Sequence, residues 1–224
     1  MLGLNKIYNT DCLEGMKLLD DKSIDLILTD IPYSEVNRKS NGLRNLNKGI
    51  ADILTFDLNI FLEECNRVCK GSIYMFCATE QVSLIRSEFV KFGLSTRHCI
   101  WEKSNPSPMN GEYIWLSSIE NCIFAKNKNA AFNEHCKSSV WKFSNGRSKI
   151  HPTEKPLKLF EYLVKTSSNI NSLVFDPCIV SETTIIACKN LNRNFIGFEN
   201  NEQYYNIACQ RLSNHAKENR HRIS

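Results

Sequence analysis

Short apolar runs alternate along the chain with longer stretches in which apolar residues recur at the helical period. The short runs are rich in β-branched and aliphatic residues, which is typical of buried strands. This alternation predicts an α/β fold in which helices cover both faces of a mostly parallel sheet. Strands are predicted at 6–9, 23–29, 72–78, 94–101, 119–125, 173–175 and 195–198. Helices are predicted at 13–19, 58–70, 80–92, 156–167, 182–191 and from 202 onward.

The second predicted strand ends in a group of chemically useful residues, Thr29-Asp30-Ile31-Pro32-Tyr33. Ligands of open α/β sheets bind at the carboxyl ends of the strands, where this stretch would lie. An exocyclic amino nitrogen of a nucleobase is a poor nucleophile, because its lone pair is delocalised into the ring. The Asp30 carboxylate and the Ile31 carbonyl could accept its hydrogens, and the Tyr33 ring could stack on a flipped base. In an isolated stretch of this kind, a turn-capping Asp30 and a locally packed Tyr33 are the commoner alternative.

A second pair of acids follows two predicted strands near the end of the chain. Strand 173–175 leads into Asp176-Pro177, and strand 195–198 leads into Glu199. The spacing matches a nucleotide-binding βαβ unit, in which an acid about 20 residues downstream binds the ribose hydroxyls.

Composition limits the class of protein. The 224 residues, 42% of them hydrophobic, suit one domain with a substantial core. The ten cysteines are scattered through predicted strands and helices, so reduced core thiols are a simpler account than disulfides. Cys65 and Cys69 could share a helical face, but no second pair completes a zinc site, and no metal is expected. With no membrane-length apolar run and no signal-peptide pattern, a cytoplasmic location is expected.

The net charge of +4 is unevenly distributed. Residues 126–149 hold six lysines and arginines against one acid, with Trp141 and Phe143 among them. Basic stretches with aromatic residues suit a phosphate backbone, although they are also often solvated surface. A further basic, glycine-containing loop at 34–56 follows the Asp30 stretch and could close over a substrate. The candidate nucleic-acid contacts are Arg38, Lys39, Arg44, Lys103, Lys126, Lys128, Lys137, Lys142, Arg147 and Lys149.

In this order the stretches resemble the beta group of amino-methylating DNA methyltransferases, which use S-adenosylmethionine. Residues 29–33 are similar to the family's catalytic Asp-Pro-Pro-Tyr motif, and residues 151–156 to its His-Pro-Thr-Gln-Lys-Pro segment. Residues 176–184 align with its cofactor loop, and Trp101, Lys103, Asn105 and Pro106 also follow a family pattern. The resemblance implies a circularly permuted, Rossmann-like fold with a seven-stranded sheet. It implies catalytic roles for Asp30, Pro32 and Tyr33, and cofactor contacts from Asp11, Cys12, Asp30, His151, Thr153, Lys155, Asp176, Cys178, Ser181, Thr183 and Glu199.

The resemblance further implies a single methyltransferase domain over 1–224, with a short target-recognition insertion at about 126–150. The Asp-first motif is associated more with adenine than with cytosine, so the expected activity is methylation of the 6-amino group of adenine in double-stranded DNA, in a restriction-modification or phage system. The expected partners are double-stranded DNA, a second copy in a homodimer and a cognate restriction endonuclease.

Two departures from the family pattern bear on activity. Val180 and Glu182 stand where the cofactor loop usually has glycines, which would weaken cofactor binding by roughly a hundredfold if the family geometry is kept. Ile31 replaces the first proline of the catalytic motif, which is expected to loosen the turn. A DNA-binding protein that no longer turns over is therefore one alternative, and an enzyme acting on the amino group of cytosine or on RNA is another. Cys178 follows a proline but stands at the cofactor strand, so it is not expected to be the nucleophile of a ring-carbon methyltransferase.

Overall fold

The structure, a computed structural model, describes residues 2–33, 55–108, 111–145, 155–179 and 183–221, with side chains described to residue 213. Within these ranges, eight strands form one sheet. They are β1 (Lys6–Asn9), β2 (Ile24–Asp30), β3 (Cys69–Cys77), β4 (Ser95–Lys103), β5 (Ile119–Lys126), β6 (Val140–Phe143), β7 (Leu173–Asp176) and β8 (Asn194–Glu199). The helices are α1 (Cys12–Met16), α2 (Leu58–Val68), α3 (Val82–Lys91), α4 (Leu157–Ser167), α5 (Thr183–Asn190) and α6 (Glu202–His221), and a 3₁₀ turn spans Thr79–Gln81.

The strand order is β1-β8-β7-β2-β3-β5-β4-β6. The strands β1, β8, β7, β2 and β3 are mutually parallel, β5 runs antiparallel to both β3 and β4, and β6 is parallel to β4. The prediction of a mostly parallel sheet is confirmed. The carboxyl ends of every described strand except β5 therefore meet at one edge, which is called the carboxyl edge below.

The expected number of strands was wrong, because β6 adds an eighth strand at the end of the sheet. Its four residues lie inside the basic stretch, where lysines mask the short apolar alternation. Trp141 pairs with Trp101 of β4 and is only 8% exposed, so this part of the stretch belongs to the sheet, with Val140 and Lys142 on its exposed side. Burial of the indole explains why a strand forms there.

Helices cover both faces, and each face has its own apolar core. On one face α1, α2 and α3 contribute buried side chains such as Met16, Phe61 and Phe89. On the other face α4, α5 and α6 contribute buried side chains such as Phe160 and Ile185. Seven of the ten cysteines are buried, as expected for core thiols. No helix in the described ranges is long and apolar enough to cross a lipid bilayer.

The boundaries differ most from prediction around α1 and at the start of β3. The helix α1 ends at Met16, three residues earlier than predicted. The strand β3 begins at Cys69, which pairs with Ile24, and so ends α2 two residues before the predicted Lys70. Gly71 lies so close to β2 that a Cβ there would stand 1.7 Å from the Asp25 carbonyl oxygen. Only glycine allows this approach of the two strands.

Candidate active site at the carboxyl ends of β2, β7 and β8

Asp30 ends β2 near the middle of the carboxyl edge. The Tyr33 hydroxyl donates a hydrogen bond of 2.9 Å to Asp30 Oδ1, and the Asp30 side chain is 17% exposed. The predicted carboxylate and aromatic ring therefore lie together. The sequence left open whether Asp30 orients a substrate or caps its own turn. In the structure one carboxylate oxygen is bonded to Tyr33 and the other to Lys155. Among the described residues up to Tyr33, no backbone N–H of the turn donates to this carboxylate.

Ile31, which replaces the family's proline and was expected to loosen the turn after β2, is itself bonded to the neighbouring strand. Its backbone N–H donates a hydrogen bond of 3.2 Å to the carbonyl of Phe76 in β3, and its side chain is 1% exposed in the core. Proline has no N–H and could not make this bond. The turn is fixed from the other side as well, since Gln81 Nε2 donates to the Pro32 carbonyl at 3.2 Å.

We expect Ile31→Pro, which restores the family residue, to destabilise this protein by about 1–3 kcal/mol. The substitution removes the donor to the Phe76 carbonyl and leaves a buried acceptor without a partner. Urea unfolding measures the change. Ile31→Val is the matched control, because it keeps the N–H and should cost only about 0.5–1.5 kcal/mol through the lost methylene. Wild-type stability in Ile31→Pro would contradict this account of the turn.

Lys155, predicted to contact the cofactor, is placed by the structure against Asp30. Its ammonium donates a 2.6 Å hydrogen bond to Asp30 Oδ2 and lies 3.4 Å from the Tyr33 hydroxyl. The same ammonium lies 5.7 Å from the ring centre of Tyr33 and 5.5 Å from that of Phe76. With its side chain only 4% exposed, Lys155 is the counter-ion of the Asp30 carboxylate.

Glu120 is a residue of this site that the sequence analysis missed. It lies near the start of β5, and its Oε2 atom is 2.9 Å from the Lys155 ammonium. Its other oxygen is 2.8 Å from the ammonium of Lys103, which also lies 5.4 Å from the ring centre of Trp101. Acids and bases thus alternate from Asp30 through Lys155 and Glu120 to Lys103. The sequence signal was a single acid in a mostly apolar strand.

Burial and charge oppose each other in this group. Burial raises the pKa of Asp30, and the nearby Lys155 ammonium counteracts that rise. Burial would also raise the pKa of Glu120, but Lys155 and Lys103 outweigh it and hold that pKa below its usual range. Burial lowers the pKa of Lys155, yet Asp30, Tyr33 and Glu120 reverse this, so that its pKa is raised and the amine stays charged.

The neighbouring strand β7 ends in Asp176, whose carboxylate holds its own turn together. Thr184 in α5 donates a 2.7 Å hydrogen bond to Asp176 Oδ2, and the Cys178 N–H donates to Oδ1 at 3.2 Å. Burial raises the pKa of Asp176 to about 7. Thr183, the first residue of α5, donates to the Lys155 carbonyl at 3.3 Å. The start of α5 is therefore connected to the Asp30 group through the segment before α4.

Glu199 ends β8, two strands from β2 in the sheet. One of its oxygens accepts a 2.8 Å hydrogen bond from the Asn201 N–H, and burial raises its pKa to about 7. After the adjacent strand β1, Asp11 caps α1 by accepting from the N–H groups of Leu13 and Glu14 at 2.9 and 3.2 Å. Cys12 is buried behind that cap and interacts with the Cys178 thiol.

The remaining predicted residues are not all at this edge. His151, Thr153, Ser181, Arg38, Lys39, Arg44, Arg147 and Lys149 lie outside the described residues. Because β5 runs antiparallel, Lys126 pairs with Ser72 and Ser95 at the opposite edge of the sheet, and Lys128 follows it there. Lys137 and Lys142 are exposed and pair with Glu134 at 3.7 Å and Glu102 at 2.8 Å.

Comparison with known proteins gives a consistent result. A protein-family match to the N6 and N4 methyltransferases, described as DNA methylase, covers residues 24–210. Type II methyltransferase M.HpaI of Haemophilus parainfluenzae is 30% identical over 237 residues, covering 92% of this chain and 74% of the relative. Type II methyltransferase M.HinfI of Haemophilus influenzae is 29% identical over 247 residues, covering 93% of this chain and 68% of the relative.

Solved structures agree with the sequence relatives. The structure of the M1.HpyAVI–SAM complex superposes with a TM-score of 0.71 at 29% identity, covering 92% of this chain and 98% of that one. The cytosine-N4-specific PvuII DNA methyltransferase superposes with a TM-score of 0.74 over 94% of this chain and 90% of that one, at 17% identity, and so supports the fold alone.

Proposed function

The chain belongs to the DNA methylase family of amino-methyltransferases, and from this premise we propose that it methylates the 6-amino group of adenine in duplex DNA. The observation that carries the proposal is the Asp30 carboxylate, held by Tyr33 and Lys155 at the strand end beside the Asp176 turn. It supports the proposal because the Asp30 carboxylate can accept amino hydrogens, and the neighbouring strand ends are the ones at which we propose that the cofactor binds.

The residues of the Asp30 turn orient the amino group of the base, and no covalent enzyme intermediate forms. The Asp30 carboxylate and the Ile31 carbonyl accept the two amino hydrogens, which turns the nitrogen lone pair out of the ring plane. The Tyr33 ring stacks on the flipped base, and its hydroxyl keeps Asp30 in place. Displacement is then in line, and the extra proton leaves to solvent after transfer.

S-adenosylmethionine is the cofactor, and it supplies a methyl group activated by a sulfonium. The residues present fit it. Glu199 offers acceptor oxygens for ribose hydroxyls at the end of β8, and α5 begins beside the Asp176 turn that precedes it. Parallel strands lie about 5 Å apart, so Glu199 and Asp30 are separated by roughly 10 Å, a distance suited to a cofactor lying between them.

Cofactor affinity should depend on the ionisation of Glu199. Its pKa is raised to about 7, so the carboxylate that accepts from the ribose is lost as pH falls through 7. We expect binding to be about tenfold weaker at pH 6 than at pH 8, since each pH unit below the pKa removes about nine-tenths of the ionised form. Calorimetry with S-adenosylmethionine measures this.

Glu199→Gln should bind with little pH dependence over the same range. If the slope persists in Glu199→Gln, another group controls binding, and Asp176, with a pKa also raised to about 7, is the next to test by Asp176→Asn.

DNA recognition is proposed for the insertion at about 126–150, within a single domain over 1–224. The described part of that insertion is fixed to the sheet through β6. Its exposed Lys142 lies next to the carboxyl end of that strand, whereas its exposed Lys137 precedes the strand. Help from loop 34–56, or from a second copy in a homodimer, would compensate for so short a recognition segment. A cognate restriction endonuclease is proposed because the similar proteins are Type II methyltransferases.

Incubation with plasmid DNA and S-adenosylmethionine, followed by mass spectrometry of the digested nucleosides, tests the proposed reaction. N6-methyladenine is expected. N4-methylcytosine would agree with the amino-methylating chemistry of the family but would refute adenine as the target base. Methylation of RNA alone would refute duplex DNA as the substrate.

A DNA-binding protein without turnover is the second candidate, and one observation favours it. Val180 and Glu182 replace glycines of the family's cofactor loop. Salt-dependent DNA binding without any methyl transfer would support this candidate.

A further inference from the structure

Two carboxylates share one buried ammonium at the site. Lys155 Nζ is 2.6 Å from Asp30 Oδ2 and 2.9 Å from Glu120 Oε2. The contact with Asp30 is a well-formed hydrogen bond. Glu120 Oε2 is buried and accepts no well-aligned hydrogen bond from the described residues. The ammonium is therefore bonded to Asp30, while a second acceptor lies within reach.

The proposed reaction makes the bond to Asp30 an obstacle. The target amino nitrogen must donate to the Asp30 carboxylate, and it gains positive charge as it takes the methyl group. An ammonium 2.6 Å from Oδ2 competes for that acceptor and repels the developing charge. Loss of the ammonium from the buried site without another partner would be costly, because its charge would be left unpaired.

We propose that Glu120 is a positioning residue, an inference that rests on the proposed function. Glu120 accepts the Lys155 ammonium when the target amino group replaces that ammonium on Asp30. The movement is a rotation of the lysine end between two carboxylates already within 3 Å of it. The Tyr33 and Phe76 rings lie near the ammonium, at 5.7 and 5.5 Å, in its present position. Lys103 holds Glu120 from the other side at 2.8 Å, which keeps the second acceptor in position.

The groups that face Asp30 come from every neighbouring element. Lys155 precedes α4, Glu120 lies on β5, and Tyr33 follows β2, and these three interact with Asp30 most directly. More distant influences come from Asp176 on β7, Cys77 on β3 and Cys122 on β5. Lys103 on β4 acts through Glu120.

A double-mutant cycle of Glu120→Gln and Lys155→Met, measured by single-turnover methylation, tests the proposal. Glu120→Gln should slow transfer by about tenfold to a hundredfold with cofactor affinity within about twofold, since a charged acceptor for the ammonium is lost. The double variant should be no slower than Lys155→Met, because Glu120 acts only through Lys155. If the rate losses of the two single variants multiply in the double variant, the two residues act independently and the proposal is overturned.

Two further variants separate the role of Glu120 from ordinary packing. Lys103→Met removes the other partner of Glu120 and should slow transfer less than Glu120→Gln. Glu120→Asp keeps the charge and shortens the reach, so it should reproduce most of the rate loss. It also serves as the test variant if Glu120→Gln does not fold.

Carboxyl ¹³C NMR of Asp30 gives a readout that needs no turnover. Glu120→Gln should lower the pKa of Asp30, because a neighbouring negative charge is removed, whereas Lys155→Met should raise it. Absence of these opposite shifts would overturn the proposal even in a protein that transfers no methyl group. An inactive wild-type protein with the two shifts present would instead refute the proposed function alone.

Discussion

Asp30→Ala should reduce methylation by about a thousandfold or more while leaving the affinity for S-adenosylmethionine within about twofold of wild type. The carboxylate is the acceptor that orients the amino group, and without it the nitrogen lone pair stays in conjugation with the ring. The family resemblance also implies a cofactor contact for Asp30, but both of its oxygens are bonded to Tyr33 and Lys155, so cofactor binding should survive. Single-turnover transfer and calorimetry measure the two quantities separately.

Asp25→Ala is the matched control for that experiment. Asp25 lies on the same strand but toward its other end, where it accepts from the Leu173 N–H at 2.8 Å and pairs with Lys70 at 3.1 Å. Its loss should lower stability and leave the transfer rate of the folded protein near wild type. A large drop in cofactor affinity in Asp30→Ala would show that Asp30 serves the cofactor and would refute its assigned role.

Val180→Gly combined with Glu182→Gly should tighten binding of S-adenosylmethionine by roughly a hundredfold. Both residues lie outside the described part of the chain, so the expectation comes from the family resemblance. A β-branched residue resists the positive φ that glycine permits there, at about 1–3 kcal/mol. A second carboxylate near that of the cofactor adds repulsion. Calorimetry on wild type and the double variant measures the change.

The single variants and the transfer assay show what the loop does. Val180→Gly should raise cofactor affinity by relieving the backbone strain, and Glu182→Gly should raise it by removing the charge repulsion. Only the gain from Glu182→Gly should depend on salt concentration. Turnover that appears only in the double variant would identify the natural protein as a methyltransferase scaffold that binds DNA. Equal cofactor affinity in wild type and double variant would show that this chain binds the cofactor without the glycines.

Much of the fold was determined by patterns local in sequence. The alternation of apolar runs and helical stretches is enough for a parallel α/β sheet, because each element must bury one face against its neighbours. The positions of Asp30 and Glu199 followed from the same rule, since both acids directly follow a buried strand. The short strand β6 did not follow, because four residues among lysines carry too little periodic signal.

The tertiary structure alone decided the charged groups around Asp30. Glu120 is 90 residues away in sequence and reaches the site only because β5 runs antiparallel, which brings its first residues to the carboxyl edge. The same reversal carries Lys126 to the opposite edge. Lys155 approaches from before α4 and pairs with both acids. The sequence by itself specified which strand ends carry acids, whereas strand direction and order determined which charges meet, because ion pairs form through space between elements distant in the chain.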